Sequence, residues 1–389
     1  MRILFISAIL PYPLYSGGQV RIYNLLKHLS ARHEITLLTF IRQQSEIQQL
    51  NHLSFLKRIQ TYWRGRRIQL RYLVKSQLRR ISWLTASYDH SGLKSDVGRF
   101  VTSGAFDLVH IEPFYVYRSL PPLPVPLVVA EHNVEYQVYS RFAQTTRNAL
   151  LRYFIRQEAA KIEYEEMQSL AKSAAVIAVS REDRERLLHL TSAPVHIVPN
   201  GVDTEFFRFY PAAKPENLIK LLFVGNLKWL PNQEALTQLL NRIWPVIKQE
   251  VRMPVRLRII GQGAKKILNN DHFIEYADSV PDIRNEYKKC HALIAPMGIS
   301  GGSKFKILEA MASGTPIITS KAGISGLSVN ETHVGIAHGV TGYARLVASI
   351  HTHSSLWQQK IRAARALVEH DYEWKPISEK MSAIWDNLK

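Results

Sequence analysis

Residues 294–320, IAPMGISGGSKFKILEAMASGTPIITS, bring glycines, a lysine and a carboxylate together at a spacing suited to gripping a charged ligand. Gly298, Gly301 and Gly302 allow close backbone approach, and residues 304–312 have helix-forming composition that stops before Gly314 and Pro316. Such a helix start leaves backbone N–H groups unpaired around Gly302 and Ser303 and points a positive dipole end at the loop, while Lys304 adds a full charge. An anion suits that place, and a diphosphate would satisfy all of these donors. Glu309 follows about one and a half turns later, where its carboxylate could meet the ribose hydroxyls of a bound nucleotide.

The elements that must position this segment form a regular alternation. Short β-rich apolar runs stand at 2–8, 34–40, 106–111, 126–131, 175–179 and 195–198, and again at 220–224, 255–260, 273–276, 292–295, 316–319 and 334–337. Helical patterns lie between most of them, the longest over 144–172 with Leu150, Leu151, Ile155, Ala159 and Ile162 at helical spacing. Alternating strands and helices predict an α/β protein with parallel sheets and right-handed crossovers, divided into Rossmann-like α/β/α domains over 1–203 and 204–371. Pro199, Asn200, Gly201, Val202 and Asp203 read as the linker, continuing through an irregular 206–216. Ligands of such folds sit at the carboxyl ends of the strands, so two facing halves imply a cleft between them. His132 follows the apolar run 127–130, and at that strand end a neutral imidazole could hydrogen-bond a sugar hydroxyl or a phosphate oxygen. A purely structural histidine is the alternative. Glu112 and Glu135 share the choice, as cleft carboxylates or as a turn carboxylate and a helix-start charge.

Composition sets the frame. The 389 residues, 46% of them hydrophobic, are enough for two separate cores. The single cysteine, Cys290, cannot form an internal disulfide and reads as a small buried apolar side chain in a reducing, cytoplasmic setting. Pro11, Pro13 and the Ser16, Gly17, Gly18 turn argue that 3–14 is a buried strand and loop, not a signal peptide core, and no run reaches the ~18 apolar residues of a membrane span. The net charge of +18 is concentrated between 47 and 88, which lacks Asp and Glu but holds Lys57, Arg58, Arg64, Arg66, Arg67, Arg71, Lys75, Arg79 and Arg80. Leu70, Leu73, Val74 and Ile81 can share one helix face with Arg71, Lys75 and Arg79 on another, between Trp63 and Trp83. Two readings stay open: contact with an anionic membrane or lipid diphosphate, or a solvated face on a helix packed into the first sheet. No zinc-ligand spacing, RNA-binding sheet signature or helix-turn-helix pattern supports nucleic acid as a partner.

The chain resembles the retaining glycosyltransferases of the GT-B fold, family 4, also called group 1. Glu309, Ala310, Met311, Ala312, Gly314 and Pro316 keep the order of that family's C-terminal motif, but Gly301 stands where an earlier glutamate usually touches donor sugar hydroxyls. Pro11, Gly17 and Gly18 match the first glycine loop, Phe223, Val224 and Gly225 the first strand and turn of the second domain, and Ile259, Ile260, Gly261, Gln262 and Gly263 a later strand end. The arginine and lysine usual after Gly225 are replaced by Asn226 and, approximately, Pro231, leaving Lys228 or Lys304 to supply charge. The resemblance implies a catalytic set of His132, Lys304 and Glu309, with donor contacts from Gly17, Gly18, Gly225, Lys228, Gly301, Gly302 and Ser303. It also implies that 372–389, whose Ile377, Met381, Ile384 and Trp385 fit one helical face, returns to complete the first domain.

The function so implied is transfer of a sugar from a nucleoside diphosphate-sugar to a glycan or lipid-linked glycan of the cell surface, with retained anomeric configuration. A front-face displacement is expected, the departing phosphate helping to deprotonate the acceptor hydroxyl. With no Asp-x-Asp motif at a strand end, no metal cofactor is expected, and helix N-termini and lysines would neutralise the leaving group. The expected location is the cytoplasm, peripheral on the inner face of the membrane. A hydrolase or epimerase on the same fold, or a non-catalytic nucleotide-sugar or glycan binding protein, are the alternatives that the changes at Gly301 and Asn226 keep in view.

Overall fold

The computed structural model describes residues 1–65, 69–264, 271–298 and 304–389. The chain divides into one unit of Met1–Pro199 with Ile377–Lys389 and another of Asn200–Pro376.

In the first unit, β1 (Arg2–Ser7), β2 (Glu34–Ile41), β3 (Arg58–Trp63), β4 (Leu108–Glu112), β5 (Leu127–Glu131), β6 (Ala175–Ala178) and β7 (Val195–Ile197) form one sheet in the order β3-β2-β1-β4-β5-β6-β7. Every pairing is parallel. Because a parallel sheet is covered on both faces, β1, β4 and β5 are buried almost end to end and read in sequence as mostly apolar runs, with the polar His110, Glu112 and Glu131 buried too. Leu4, Ile6, Val109, Ile111, Val129 and Val176 pack into the core on one side. The strand order reverses between β1 and β4, where Ser7 pairs with Glu112, so the carboxyl ends of these strands flank the switch point. The C-terminal residues are integral to this unit. Trp385 is fully buried, lies edge-on to His110 and His33, and donates its indole N–H to Nδ1 of His110 at 3.2 Å.

The second unit repeats the plan with β8 (Ile219–Val224), β9 (Val255–Ile260), β10 (Ile274–Ala277), β11 (Ala292–Ala295), β12 (Ile317–Thr319) and β13 (Gly335–Ile336), again all parallel, in the order β10-β9-β8-β11-β12-β13. Its switch point falls between β8 and β11, whose Leu222 and Leu293 are paired. Phe223, Leu257, Ile259, Ile294 and Trp244 belong to its core. The Phe305–Ser313 helix packs its apolar face inward through Ile307, Leu308, Met311 and Ala312, and ends at Gly314 in the left-handed conformation.

Several sequence expectations need correction. β3 lies inside the basic tract, where the residue pattern does not lead one to expect a strand, while the helix expected around residues 70–81 runs Leu70–Arg79 and a short second helix follows at Trp83–Ala86. On the Leu70–Arg79 helix Tyr72 and Ser76 are buried whereas Leu70, Leu73 and Val74 are exposed, and Ile81 is buried beyond its end, so the apolar residues do not form one packed face. Arg66 and Arg67 lie outside the described residues. The 144–172 pattern is two helices, Glu135–Thr145 and Ala149–Ala171, because Asn148 caps the second by accepting the Leu151 N–H at 2.9 Å. The first helix starts at Gly17 instead of Arg21. Replacing Trp385 with alanine would empty a fully buried indole site and is expected to cost about 3–5 kcal/mol of stability. Urea denaturation of the full chain measures this, and a loss below about 1 kcal/mol would show that the C-terminal helix is not part of the first core.

Candidate functional site

In the second unit the site grows from β8. Its last residues lead into Gly225, against which the Asn232 side chain packs so closely that a Cβ on Gly225 would sit 2.9 Å from Asn232 Cγ. A side chain at position 225 would push the Asn232 amide out of place. Asn232 donates from Nδ2 to the Asn226 carbonyl at 3.0 Å and accepts at Oδ1 from Nζ of Lys306 at 2.9 Å. One amide therefore ties the turn after β8 to the start of the Phe305–Ser313 helix. Lys306 also lies over the Phe223 ring, 5.2 Å from its centroid.

Glu309, one turn along from Lys306, is partly buried and accepts at Oε2 from the phenol of Tyr287 at 2.9 Å. Burial pushes its carboxyl pKa up, while the Tyr287 hydroxyl and the Lys306 charge pull the other way. The Tyr287 bond fixes one oxygen, and Oε1 has no partner among the described residues. Lys304 stands at the N-cap position of the helix without a capping side-chain bond, and its Nζ donates to the Ala322 carbonyl at 3.3 Å. The Lys228 side chain is exposed, while its backbone N–H closes a turn onto Oδ1 of Asn226 at 3.0 Å. Gly301, Gly302 and Ser303 lie outside the described residues.

In the first unit the site centres on Glu112, the fully buried last residue of β4. Its Oε1 accepts from Nε of Arg21 at 2.7 Å and lies 2.5 Å from Nε2 of His132, and Nε2 of His110 stands 3.4 Å from Oε2. Arg21 is equally buried and also donates to the Val198 and Pro199 carbonyls at 2.9 and 3.0 Å. Burial alone would raise the Glu112 pKa, but the Arg21 guanidinium and the hydrogen bond from His132 hold it well below the usual carboxylate range. Burial drives the His110 pKa down, against the pull of Glu112.

An ionised Glu112 requires the His132 Nε2 to carry the hydrogen, so Nδ1 of a neutral ring is left as an acceptor. His132 keeps 23% of its side chain exposed, enough to meet a ligand. Gly18 belongs to this group, since a Cβ there would lie 3.3 Å from Cε1 and 3.4 Å from Nδ1 of His132. Gly17 is the first residue of the same helix. Glu135 begins the next helix, where its backbone N–H meets Glu166 Oε1 at 3.0 Å.

The structure thus brings Gly18 to His132, and Gly225 near the helix bearing Lys304 and Glu309, while the Lys228 side chain stays in solvent. Sequence reasoning missed Arg21, Asn232, Tyr287 and Lys306 as site residues. Lys306 had a signal, because it precedes Glu309 by three residues and so shares its helix face. Arg21 had a weaker one, a lone charge amid Ile22, Leu25 and Leu26 on a helix whose apolar face is buried. Among the described residues no group of three or more His, Cys, Asp or Glu side chains is arranged to hold a metal ion.

Two parallel sheets, each presenting polar side chains at its switch point, define a GT-B fold. Solved structures match it along nearly the whole chain: sucrose-phosphate synthase from Thermosynechococcus elongatus (TM-score 0.70, 14% identity, covering 100% of this chain and 99% of that one), HepE from Anabaena in complex with UDP and glucose (0.69, 13%, 100% and 100%), and WaaG, a glycosyltransferase involved in lipopolysaccharide biosynthesis (0.64, 14%, 98% and 99%). Residues 15–206 match the family model for Glycosyltransferase Family 4, and residues 219–353 the model for Glycosyl transferases group 1. The chain belongs to this glycosyltransferase family. It is also 22% identical over 211 residues to the glycogen synthase of Mycobacterium tuberculosis, covering 50% of this chain and 48%, about half, of that relative.

The first-unit geometry sets an expected outcome. Glu112→Gln keeps the side chain's size but leaves the Arg21 charge buried without its partner, which should cost about 3–5 kcal/mol near neutral pH by urea denaturation. With its folded pKa depressed, Glu112 contributes fully above the ordinary carboxylate range, and the contribution is lost as pH falls through the folded value. The wild type should therefore lose stability in acid more steeply than Glu112→Gln. Equal stability of the two proteins at neutral pH would show that the pair does not hold this switch point together.

Proposed function

We propose that this protein transfers a sugar, with retention of configuration, from a nucleoside diphosphate-sugar to a glycan or lipid-linked glycan in the building of a cell-surface polysaccharide. The observation that carries the reading is the meeting, at the second unit's switch point, of the Gly225 turn, the Lys306 ammonium and the partly free Glu309 carboxylate. A ribose fits Oε1 of Glu309, and the lysines at 304 and 306 suit a diphosphate. The complex of HepE with UDP and glucose supports such a donor, and WaaG's part in lipopolysaccharide biosynthesis supports a cell-envelope product.

In the proposed reaction the Lys304 charge and the backbone N–H groups at the helix start stabilise the leaving diphosphate, without a metal ion. The glycosidic bond to phosphate breaks as the acceptor oxygen bonds to the same face of the anomeric carbon. The acceptor proton passes to a departing phosphate oxygen. His132, held by Glu112 through Nε2, offers its other nitrogen to a donor hydroxyl or phosphate oxygen.

Work at the inner face of the cytoplasmic membrane is part of the proposal. On the Leu70–Arg79 helix, Leu70 and Leu78 are 76% and 81% exposed beside Arg71, Lys75 and Arg79, although Asp89 pairs with Lys75 and Arg79. Residues 136–157 also lack acidic groups, and there Leu150, Tyr153 and Phe154 are exposed among Arg147, Arg152 and Arg156. Among the described residues no helix is long and apolar enough to cross a membrane, so the contact proposed is interfacial.

Turnover assays with UDP-, GDP- and ADP-sugars and glycan acceptors test the function. Nucleoside diphosphate release with sugar on the acceptor supports transfer, free sugar indicates a hydrolase, an isomerised donor an epimerase, and tight binding without turnover a binding protein. Glu309→Ala should weaken nucleotide binding by about 1.5–3 kcal/mol in calorimetry without unfolding the chain, the scale of a charged hydrogen bond. Unchanged affinity in the folded variant would refute the ribose contact. Flotation with anionic vesicles should recover the protein at low salt and lose it as the screening length shrinks from ~10 Å at 0.1 M to ~3 Å at 1 M. Leu70→Asp with Leu78→Asp should reduce recovery further, and a protein that ignores anionic vesicles at low salt has no membrane contact of this kind.

A further inference from the structure

Asn226 and Pro231 occupy the positions where the family resemblance leads one to expect an arginine and a lysine against the diphosphate, and Lys228 points its side chain into solvent. The structure supplies a different cation. Nζ of Lys306 reaches back to the turn after β8, where Asn232 Oδ1 at 2.9 Å is its one hydrogen-bond partner among the described residues. The Phe223 ring covers it from below, and no carboxylate of the described residues is paired with it. A partly buried ammonium held against an amide dipole and a ring, with no carboxylate bonded to it, is short of counter-charge.

The charged groups around it sharpen the point. Lys304 repels it from the same helix and Glu309 attracts it, but Glu309 is already bonded to the Tyr287 hydroxyl on the neighbouring helix. The segment after β8 contributes only the Asn232 amide to Nζ and the Asn226 carbonyl to that amide. What would balance the site is an external anion approaching from the carboxyl ends of β8 and β11.

We propose that Lys306 is the side chain that grips the donor's diphosphate in this protein, in place of the missing arginine and lysine. The proposal rests on the donor-site reading above. Burial, with Lys304 adding to it and Glu309 opposing, lowers the Lys306 pKa to about 7. Above neutral pH part of the Lys306 population is therefore uncharged amine, and a bound diphosphate favours the ammonium. Binding then takes a proton from solution onto Nζ, and affinity falls as pH rises from about 7.

Calorimetry of the full chain with UDP, GDP, ADP and inorganic pyrophosphate, at about pH 8 in two buffers of different ionisation enthalpy, tests this. The nucleotide that binds should take up about one proton. Lys306→Met should bind it at least about tenfold more weakly and take up none. Lys306→Arg, carrying a permanent charge, should retain most of the affinity with no uptake, and thermal melting confirms that each variant is folded. Wild-type binding without uptake, or Lys306→Met with wild-type affinity and uptake, overturns the role of Lys306 while leaving the donor site standing, because nucleotide still binds. If no nucleoside diphosphate or pyrophosphate binds the wild type, the donor-site reading fails and this proposal fails with it.

Discussion

Parallel strand pairing is the constraint on which the rest of the structure depends. When every strand of a sheet runs the same way, each chain crossing must pass over a face, and all the carboxyl ends collect along one edge. Both sheets reverse their order once, between β1 and β4 and between β8 and β11. A crevice at each reversal is thus a result of connectivity alone, before any side chain is chosen. Glu112, Gly225 and the helix bearing Glu309 stand where they do because each follows or ends a strand at such a reversal.

The two switch points are furnished with charge in opposite ways. In the first unit Arg21 and Glu112 are both withdrawn from water but balance one another, with His132 bonded to the same carboxylate oxygen and His110 beside the other. In the second, Lys306 faces an amide and Glu309 a phenol, so each charge has a neutral partner. Closed pairs hold a backbone in place. Half-matched charges leave free energy for a ligand to recover, which is how a binding site differs from a structural ion pair.

What the sequence made legible follows the same physics. Central strands such as β1, β8 and β11 are buried along most of their length and so are largely apolar, and their runs stand out without any alignment. β3 did not stand out, because as an edge strand it mixes Ile59, Tyr62 and Trp63 with Arg58, Gln60 and Thr61 inside a basic tract that mimics helical amphipathicity. The glycines and Glu309 were readable as a motif because their relations are local. Arg21 with Glu112 and Asn232 with Lys306 are 91 and 74 residues apart in sequence, and only the folded sheets bring them together. The break at Asn148 was hidden because Leu150 and Leu151 continue the apolar period yet point to solvent.

β3 carries one further meaning as the open margin of its sheet, where unpaired backbone groups could recruit the margin of a second molecule and begin a ladder between chains. Lys57 and Arg58 stand at the start of that strand, so two copies approaching edge to edge bring like charge together there before their backbones can pair, although Glu34 offsets part of the Lys57 charge. This positive charge is therefore also a guard against self-association. Its strength is set by ionic strength, and the chain is best protected from its own kind in dilute salt.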